Sequence, residues 1–422
     1  MSDFDEIIGY EAVKAELRQI LDMLKRNDKY QSFGAKLPKG VLLRGARGNG
    51  KTTMAECFLK ECDKYGIKNI PIYKSSDDCD LAEILPKVFE DARAAAPSVI
   101  FIDDLDAISG GDFYSVLQFE MEACDDGSVF VLATVADLGP VQESLITFGR
   151  FGRIIDICNP SEIDCYKIIR HYLKKIKTDR DINFEDLSAM LSDRSCAEIK
   201  AIINDSAADA IYSGQQYVSM ENFDKVCLRL EYTGSDFTIS MLDNEIKEHA
   251  LHEAGHIVAC EALCPGGVAF ASVRTDGRDS LDGFVYMCKE TTRRNNIIIS
   301  LAGKAAVELY YSETCASGCY SDTRKAFRHI REATLESGSC GLGMIDVGMW
   351  NIAMSENMNT RNEAVVHAQM ENYMFKTKDI LLKNREFLEK TTEMLCEKKF
   401  LHHSDIRALR ESVKFKPYEL II

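Results

Sequence analysis

The residues of this chain whose types and spacing could do chemistry form two short clusters. Gly45-Ala46-Arg47-Gly48-Asn49-Gly50-Lys51-Thr52 has the glycine, lysine and hydroxyl spacing of a phosphate-cradling loop. Glycines let backbone N–H groups turn inward toward phosphate oxygens, and the N-terminus of a following helix adds positive potential. Lys51 would bridge the terminal phosphates and Thr52 would ligate Mg2+, so Gly45, Gly48, Asn49, Gly50, Lys51, Thr52 and Thr53 are the candidate contacts to ATP. The second cluster is His252-Glu253-Ala254-Gly255-His256. On a helix, side chains four residues apart share a face, so His252 and His256 could bind one zinc ion with Glu253 beside them. Two neutral imidazoles and a third protein ligand leave one position for a water, whose proton Glu253 would take before attack on a peptide carbonyl. Together the clusters point to peptide hydrolysis driven by nucleotide hydrolysis.

Other residues could complete these sites. The apolar run Val99 to Ile102 ends in Asp103 and Asp104. Asp103 suits the metal side of the nucleotide site, and Asp104 is the candidate to position the attacking water. For the third zinc ligand, Glu308 is a candidate on spacing alone, because many peptidases with this histidine motif use a glutamate on a later helix. Leu281 to Met287 reads either as an edge strand able to pair with an extended substrate or as an ordinary buried hairpin strand.

The elements that must position these groups follow from hydrophobic periodicity. In residues 1–160, Gly40 to Leu43, Pro71 to Tyr73, Val99 to Ile102 and Val129 to Ala133 read as strands spaced by helices, a doubly wound α/β sheet. The phosphate loop then lies between the first strand and a helix over Met54 to Glu61. Residues 161–232 are helical throughout and read as a small lid, with Ile199, Ile202, Ile203 and Ala207 spaced three and four apart. Thr233-Gly234-Ser235-Asp236 lies in a linker over 233–241, and residues 242–422 form a mostly helical domain with a β segment from Ala269 to Met287. Leu251, Ile257 and Val258 would face its core and hold the histidine helix still.

Composition bounds the reading. With 422 residues, 46% hydrophobic and 28% charged, the chain should hold two or three ordinary globular domains. A formal net charge of −16 argues against nucleic acid as a partner, because duplex binding needs a basic face. The fifteen cysteines are scattered, and neither Cys260/Cys264 nor Cys315/Cys319 has CxxC spacing, so reduced thiols in a cytoplasmic setting are expected. No apolar run is long enough for a membrane segment, and the helical pattern Glu11 to Lys25 begins too soon after Met1 for a signal peptide.

FDEIIGYEAVKAELRQILDMLK from Phe4, GARGNGKT, APSVIFIDDLDAI and FGRFGR, in that order, resemble the AAA+ module of the FtsH family of ATP-dependent zinc metalloproteases. HEAGH falls where that family's peptidase domain would begin, and the resemblance runs from about Phe4 to about Arg410. It implies an α/β AAA+ P-loop core with a small helical lid, followed by a mostly α-helical zinc metallopeptidase domain. It also implies a homo-hexameric ring, protein or peptide substrates, and Zn2+, ATP and Mg2+. The family's arginine pair, which reaches the neighbouring subunit's nucleotide, carries over to Arg150 and Arg153. SGCYSDTRKA resembles the family's TGASNDxxxAT, whose aspartate is the third zinc ligand; this assigns Asp322 and leaves Glu308 a supporting part. Arg194 to Ile199 resembles FSGADL beside the adenine, so Ile8, Gly9 and Ala197 are implied nucleotide contacts, with His171 near a further family position. The family normally carries transmembrane segments ahead of this module, so the chain is either a cytoplasmic relative or the part of a membrane-anchored protein that follows them.

Departures from the family bear on function. Ala46, Arg47 and Asn49 replace residues of GPPGTGKT but keep the glycine and lysine framework, so nucleotide binding should survive. Asp104 stands for the water-activating glutamate, one methylene shorter, and Val135 stands for the asparagine that senses the terminal phosphate. Between Tyr73 and Phe89 the aromatic-apolar-glycine pore loop is missing. Slow hydrolysis and weak threading are expected, and the alternative is a nucleotide-binding assembly or regulatory protein whose ATPase has decayed.

Overall fold

The computed structural model describes residues 2–72, 81–108, 111–124, 129–147, 149–231, 243–273, 283–311, 319–335 and 356–418. The chain divides into two compact units, Met1–Asp179 with Asp193–Val218, and Arg180–Ser192 with Ser219–Ile422. Among the described residues no helix is long and apolar enough to cross a membrane, and the described cysteines carry free thiols.

In the first unit, strands β1 (Gly40–Arg44), β2 (Lys68–Ile72), β3 (Ser98–Ile102), β4 (Val129–Val135) and β5 (Arg153–Asp156) form a parallel sheet in the order β2-β3-β4-β1-β5. The helices are α1 (Glu11–Lys25), α2 (Asn27–Ser32), α3 (Lys51–Lys64), α4 (Leu81–Ala94), α5 (Gly111–Ala123) and α6 (Glu162–Leu173). Strands β3 and β4 are buried at every residue, as a parallel sheet covered on both faces requires. Alternation along each strand then sorts the side chains. Val41, Leu43, Val99, Phe101, Phe130 and Leu132 pack with Leu17 and Ile20 of α1 and Met54 and Phe58 of α3. Leu42, Ile100, Ile102, Val131 and Ala133 pack with Leu85 and Phe89 of α4 and Phe113 and Leu117 of α5. The loop between β1 and α3 is thereby fixed at the carboxyl ends of the strands, where open α/β sheets bind ligands.

The expected strands are present, although β2 covers Lys68–Ile72 rather than Pro71 to Tyr73, and Tyr73 lies outside the described residues. Strand β5 has no counterpart in the sequence reading; Arg153 and Asp156 flank only two apolar residues, too short a run to stand out.

The helices of the expected lid fall to both units. Helices α6 and α8 (Cys196–Tyr212) belong to the first, and α7 (Phe184–Met190) and α9 (Met220–Glu231) to the second. The second unit continues with α10 (Asp243–Leu263), β6 (Val268–Ser272), β7 (Phe284–Met287), α11 (Arg293–Tyr311), α12 (Cys319–Leu335), α13 (Glu356–Lys383), α14 (Arg385–Lys398), β8 (Phe400–His402) and α15 (His403–Glu411). Hydrogen bonds tie α7 and α9 into it. Asp186 accepts from the Ser404 N–H and hydroxyl at 2.7 Å each, Glu185 pairs with Arg407, and Asp224 bonds His402 at 2.9 Å. The expected linker, 233–241, lies outside the described residues.

Helix α10 runs through the core of this unit, with Leu251, Ile257 and Val258 buried as expected. It crosses α11 through small residues, Ala254 and Gly255 against Ala302, Ala305 and Ala306. A Cβ on Gly255 would lie 2.5 Å from the Ala302 carbonyl oxygen, so a side chain there would push the helices apart. The antiparallel sheet β7-β6-β8 is held by Phe270, whose ring stacks on Tyr286 and Phe400 at 5.2 and 5.3 Å.

Candidate functional site

His252, Glu253 and His256 are buried polar residues set among the buried Leu251, Ala254, Ile257 and Val258 of α10. Burial of such groups is costly unless they find partners. Asp322, in the first turn of α12, provides one: its Oδ2 lies 3.3 Å from His252 Nε2 and 3.1 Å from His256 Nε2, and the two nitrogens are 3.0 Å apart. Among the described residues this is the one group of three such donors close enough to hold a metal ion. The set fits zinc, because tetrahedral bonds of about 2.0–2.1 Å separate donor atoms by about 3.3 Å. Glu308 is turned elsewhere, to Lys378 at 2.7 Å and Lys304 at 3.7 Å.

Burial and hydrogen bonding move the protonation of the three groups in different directions. Burial pushes His252 below the ordinary histidine value, favouring neutral imidazole. Burial also raises the Asp322 carboxyl, but the two imidazole hydrogen bonds outweigh it and hold the group well below the usual carboxylate range. For His256, burial is opposed and overcome by the Asp322 hydrogen bond and the nearby negative charges, so its pKa rises. His256 Nδ1–H donates to the Ile299 carbonyl at 2.6 Å, which directs the Nε2 lone pair at the cluster. On the far side of His252, Nδ1 faces the Cys319 sulfur at 3.7 Å.

Two glycines that the sequence reading passed over shape this centre. A Cβ on Gly303 of α11 would strike both imidazole rings, and one on Gly283, just before β7, would lie 2.6 Å from Glu253 Oε1. Among the described residues, strand β7 stands at the edge of its sheet and pairs with β6; Leu281 and Asp282 of the expected strand lie outside the described residues.

At the other site, the loop after β1 folds tightly on its surroundings. Gly45 N–H donates to the Val135 carbonyl at 3.1 Å, and a Cβ at Gly45 would run into the Ile157 carbonyl. Gly50 has φ 84° as it enters α3, a conformation open to glycine at little cost. Asn49 Nδ2 donates to the Ile157 carbonyl at 3.1 Å, and Lys51 Nζ donates to the Gly45 and Ala46 carbonyls at 2.8 and 3.2 Å. Thr52 Oγ1 donates to Asp103 at 3.1 Å, so the hydroxyl and carboxylate expected to share Mg2+ are adjacent. Thr134 joins them: its hydroxyl donates to Asp103 at 2.6 Å and accepts from Asp104 N–H at 2.8 Å. Asp104 itself has φ 48°, ψ 54°.

The ATPase family associated with various cellular activities (AAA) matches residues 41–159. Over nearly its whole length the chain is similar to proteins named ATP-dependent zinc metalloprotease FtsH. That of Mycoplasma mobile is 26% identical over 97% of this chain and 63% of that protein. Those of Streptobacillus moniliformis and Leptotrichia buccalis are each 28% identical over 96% of this chain, covering 64% and 56% of the relative. Together these likenesses support a place in the FtsH family. The chain spans about three-fifths of the length of these FtsH relatives.

The remaining residues singled out by the FtsH resemblance are placed as follows. Arg150 pairs with Glu122 and donates to the Ser144 carbonyl, while Arg153 reaches Glu16 at 2.9 Å. Ala197 N–H donates to the Gly48 carbonyl at 3.0 Å, held there by the Ser195–Glu198 capping box that starts α8. Ile8 and His171 line one cleft of about 420 Å³. Gly9, at φ 75°, lies so close to Asp164 that a Cβ would be 2.6 Å from its carboxyl carbon. The shortened pore segment falls largely on residues 73–80, outside the described residues. Thr134 and Gly303 escaped the sequence reading because a lone threonine at a strand end and a glycine inside a helix carry no local signal.

Proposed function

We propose that this protein is an ATP-dependent zinc metalloendopeptidase acting on proteins or peptides. The observation that carries this reading is the convergence of Asp322 of α12 on His252 and His256, which share the buried stretch of α10 with Glu253. When bound by those three residues, zinc would polarise a carbonyl and lower the pKa of a water. The Glu253 carboxylate takes the proton of the attacking water and delivers it to the leaving nitrogen. The free edge of β7 pairs with an extended substrate backbone, giving affinity with little sequence preference.

At the nucleotide site, the backbone of Gly45 to Gly50 and the Lys51 ammonium hold the phosphates, with Thr53 following at the helix start. Thr52 and Asp103 hold Mg2+, and Asp104 orients the hydrolytic water. Ile8, Gly9 and Ala197 border the base. Arg150 and Arg153 act on the nucleotide of a neighbouring copy in a homo-hexamer, each exchanging its present partner, Glu122 or Glu16, for phosphate.

The test is casein cleavage with ATP, with a non-hydrolysable analogue and without nucleotide, in wild type and Glu253→Gln. Loss of all cleavage in the variant, with zinc retained by elemental analysis, is expected; retained cleavage would remove Glu253 from this role. A second reading, a nucleotide-binding assembly protein with decayed hydrolysis, draws support from Asp104 and Val135. ATP bound tightly but not turned over, with cleavage indifferent to nucleotide, would favour it.

A further inference from the structure

One helix meets the ring of His252 at both of its nitrogens. Nε2 lies 3.3 Å from Asp322 Oδ2, and Nδ1 lies 3.7 Å from Cys319 Sγ. Cys319 opens α12 and Asp322 follows three residues later in the same first turn, a spacing that puts two side chains on one flank of a helix. Cys319 and His252 are 6% and 7% exposed, so Nδ1 faces the sulfur rather than bulk water. Gly303 of α11 lies against the same ring, where a Cβ would strike Nε2.

The two histidines of the cluster are therefore met at the far nitrogen by different chemistry. His256 Nδ1–H donates to a carbonyl, which can only accept. Cys319 offers His252 a thiol, which can donate weakly to a bare Nδ1 or accept weakly from Nδ1–H. A metal ion on Nε2 admits only the second arrangement, because the neutral ring then carries its one proton on Nδ1. The sulfur is placed to receive that hydrogen bond, and with it to fix both the tautomer and the ring orientation that metal binding requires. Cys319 stands where the motif TGASNDxxxAT has its first alanine, a methyl group with no acceptor, so this contact is a departure from that motif.

We propose that Cys319 is a positioning residue of the zinc site: its sulfur accepts the His252 Nδ1–H and holds the imidazole with Nε2 turned to the metal. The proposal rests on the zinc-peptidase reading and adds to it the group that orients one ligand. Sulfur is a weak acceptor, so its effect stands at the lower end of what such outer partners contribute, about tenfold in metal affinity.

The experiment compares Cys319→Ala with Cys319→Ser in the full chain. Both substitutions shorten the side chain and loosen its packing, but serine keeps an oxygen that can accept. Zinc affinity is measured by competition with a fluorescent zinc indicator, and thermal melting of the metal-free chain is followed beside it. Alanine should weaken zinc binding about tenfold and serine by no more than about threefold, with the two variants melting together when metal-free. Equal losses in both variants would trace to packing, and unchanged affinity in the alanine variant would show that His252 needs no such partner; either result overturns the proposal. Co2+ in place of zinc separates a positioning sulfur from a ligating one. No sulfur-to-cobalt charge-transfer band is expected in the near ultraviolet, and a band that disappears in Cys319→Ala would make Cys319 a ligand and overturn the positioning role. Casein cleavage by the zinc-loaded wild type with ATP is the separate check. Its absence overturns the peptidase reading and leaves the affinity comparison standing, whereas cleavage together with equal zinc affinity in all three proteins overturns only the role of Cys319.

Discussion

Gly303 shows how much a missing side chain can matter, because it is the only residue type that fits between α11 and the rings of His252 and His256. Gly303→Ala would force the imidazoles apart at a strain of about 1–3 kcal/mol, which corresponds to a zinc affinity roughly ten- to a hundredfold weaker. Competition against a chromogenic chelator measures this, and unchanged affinity would mean the rings have room to retreat. At the other site, Asp104 is held by its N–H on Thr134, so its short carboxylate has little freedom to approach a water. Asp104→Glu should raise ATP turnover by about tenfold or more; an unchanged rate would place the limitation elsewhere. The residues gathered at both candidate sites could be picked out in the sequence because glycine, lysine, histidine and carboxylate spacings express local geometry. Asp322 needed a family resemblance, since no local rule relates it to histidines on another helix. Thr134, Gly283 and Gly303 were invisible because their parts are set by neighbours remote in sequence.

At the scale of elements, the parallel sheet could be read from its continuous apolar runs, and α10 from a histidine pair set among buried aliphatics. What could not be read is which helices join which unit, because that depends on side-chain hydrogen bonds such as the one between His402 and Asp224. Burial of His402 disfavours its charge, but the hydrogen bonds to Asp224 and Asp405 prevail and push the imidazole pKa up to about 10. A histidine raised above its unfolded value of about 6.5 adds stability that is complete below that pH and is lost as pH rises toward the folded value. Thermal melting of wild type should therefore fall between pH 7 and 10 by more than melting of His402→Gln, with the two curves converging at the alkaline end. Parallel curves across that range would show that His402 carries no such linkage.

For the whole molecule, the candidate metal cluster belongs to one unit and the phosphate loop to the other. Removing zinc with a chelator should abolish peptide cleavage and leave nucleotide affinity within about twofold, the scatter expected of independent sites. A larger loss of nucleotide binding would reveal coupling between the two centres. The order of the chain complicates any attempt to separate them by cutting. It leaves the first unit after Asp179, returns at Asp193 and leaves again after Val218. A fragment starting at the expected linker would lack Asp224 for His402 and Asp186 for Ser404, so it would carry a cation and a hydroxyl stripped of their acceptors. A fragment ending there would keep those carboxylates with nothing to bind. The two candidate sites are thus written into the gene as interleaved text, and exchange of one unit between relatives would have to transplant two segments across three junctions rather than splice at one point.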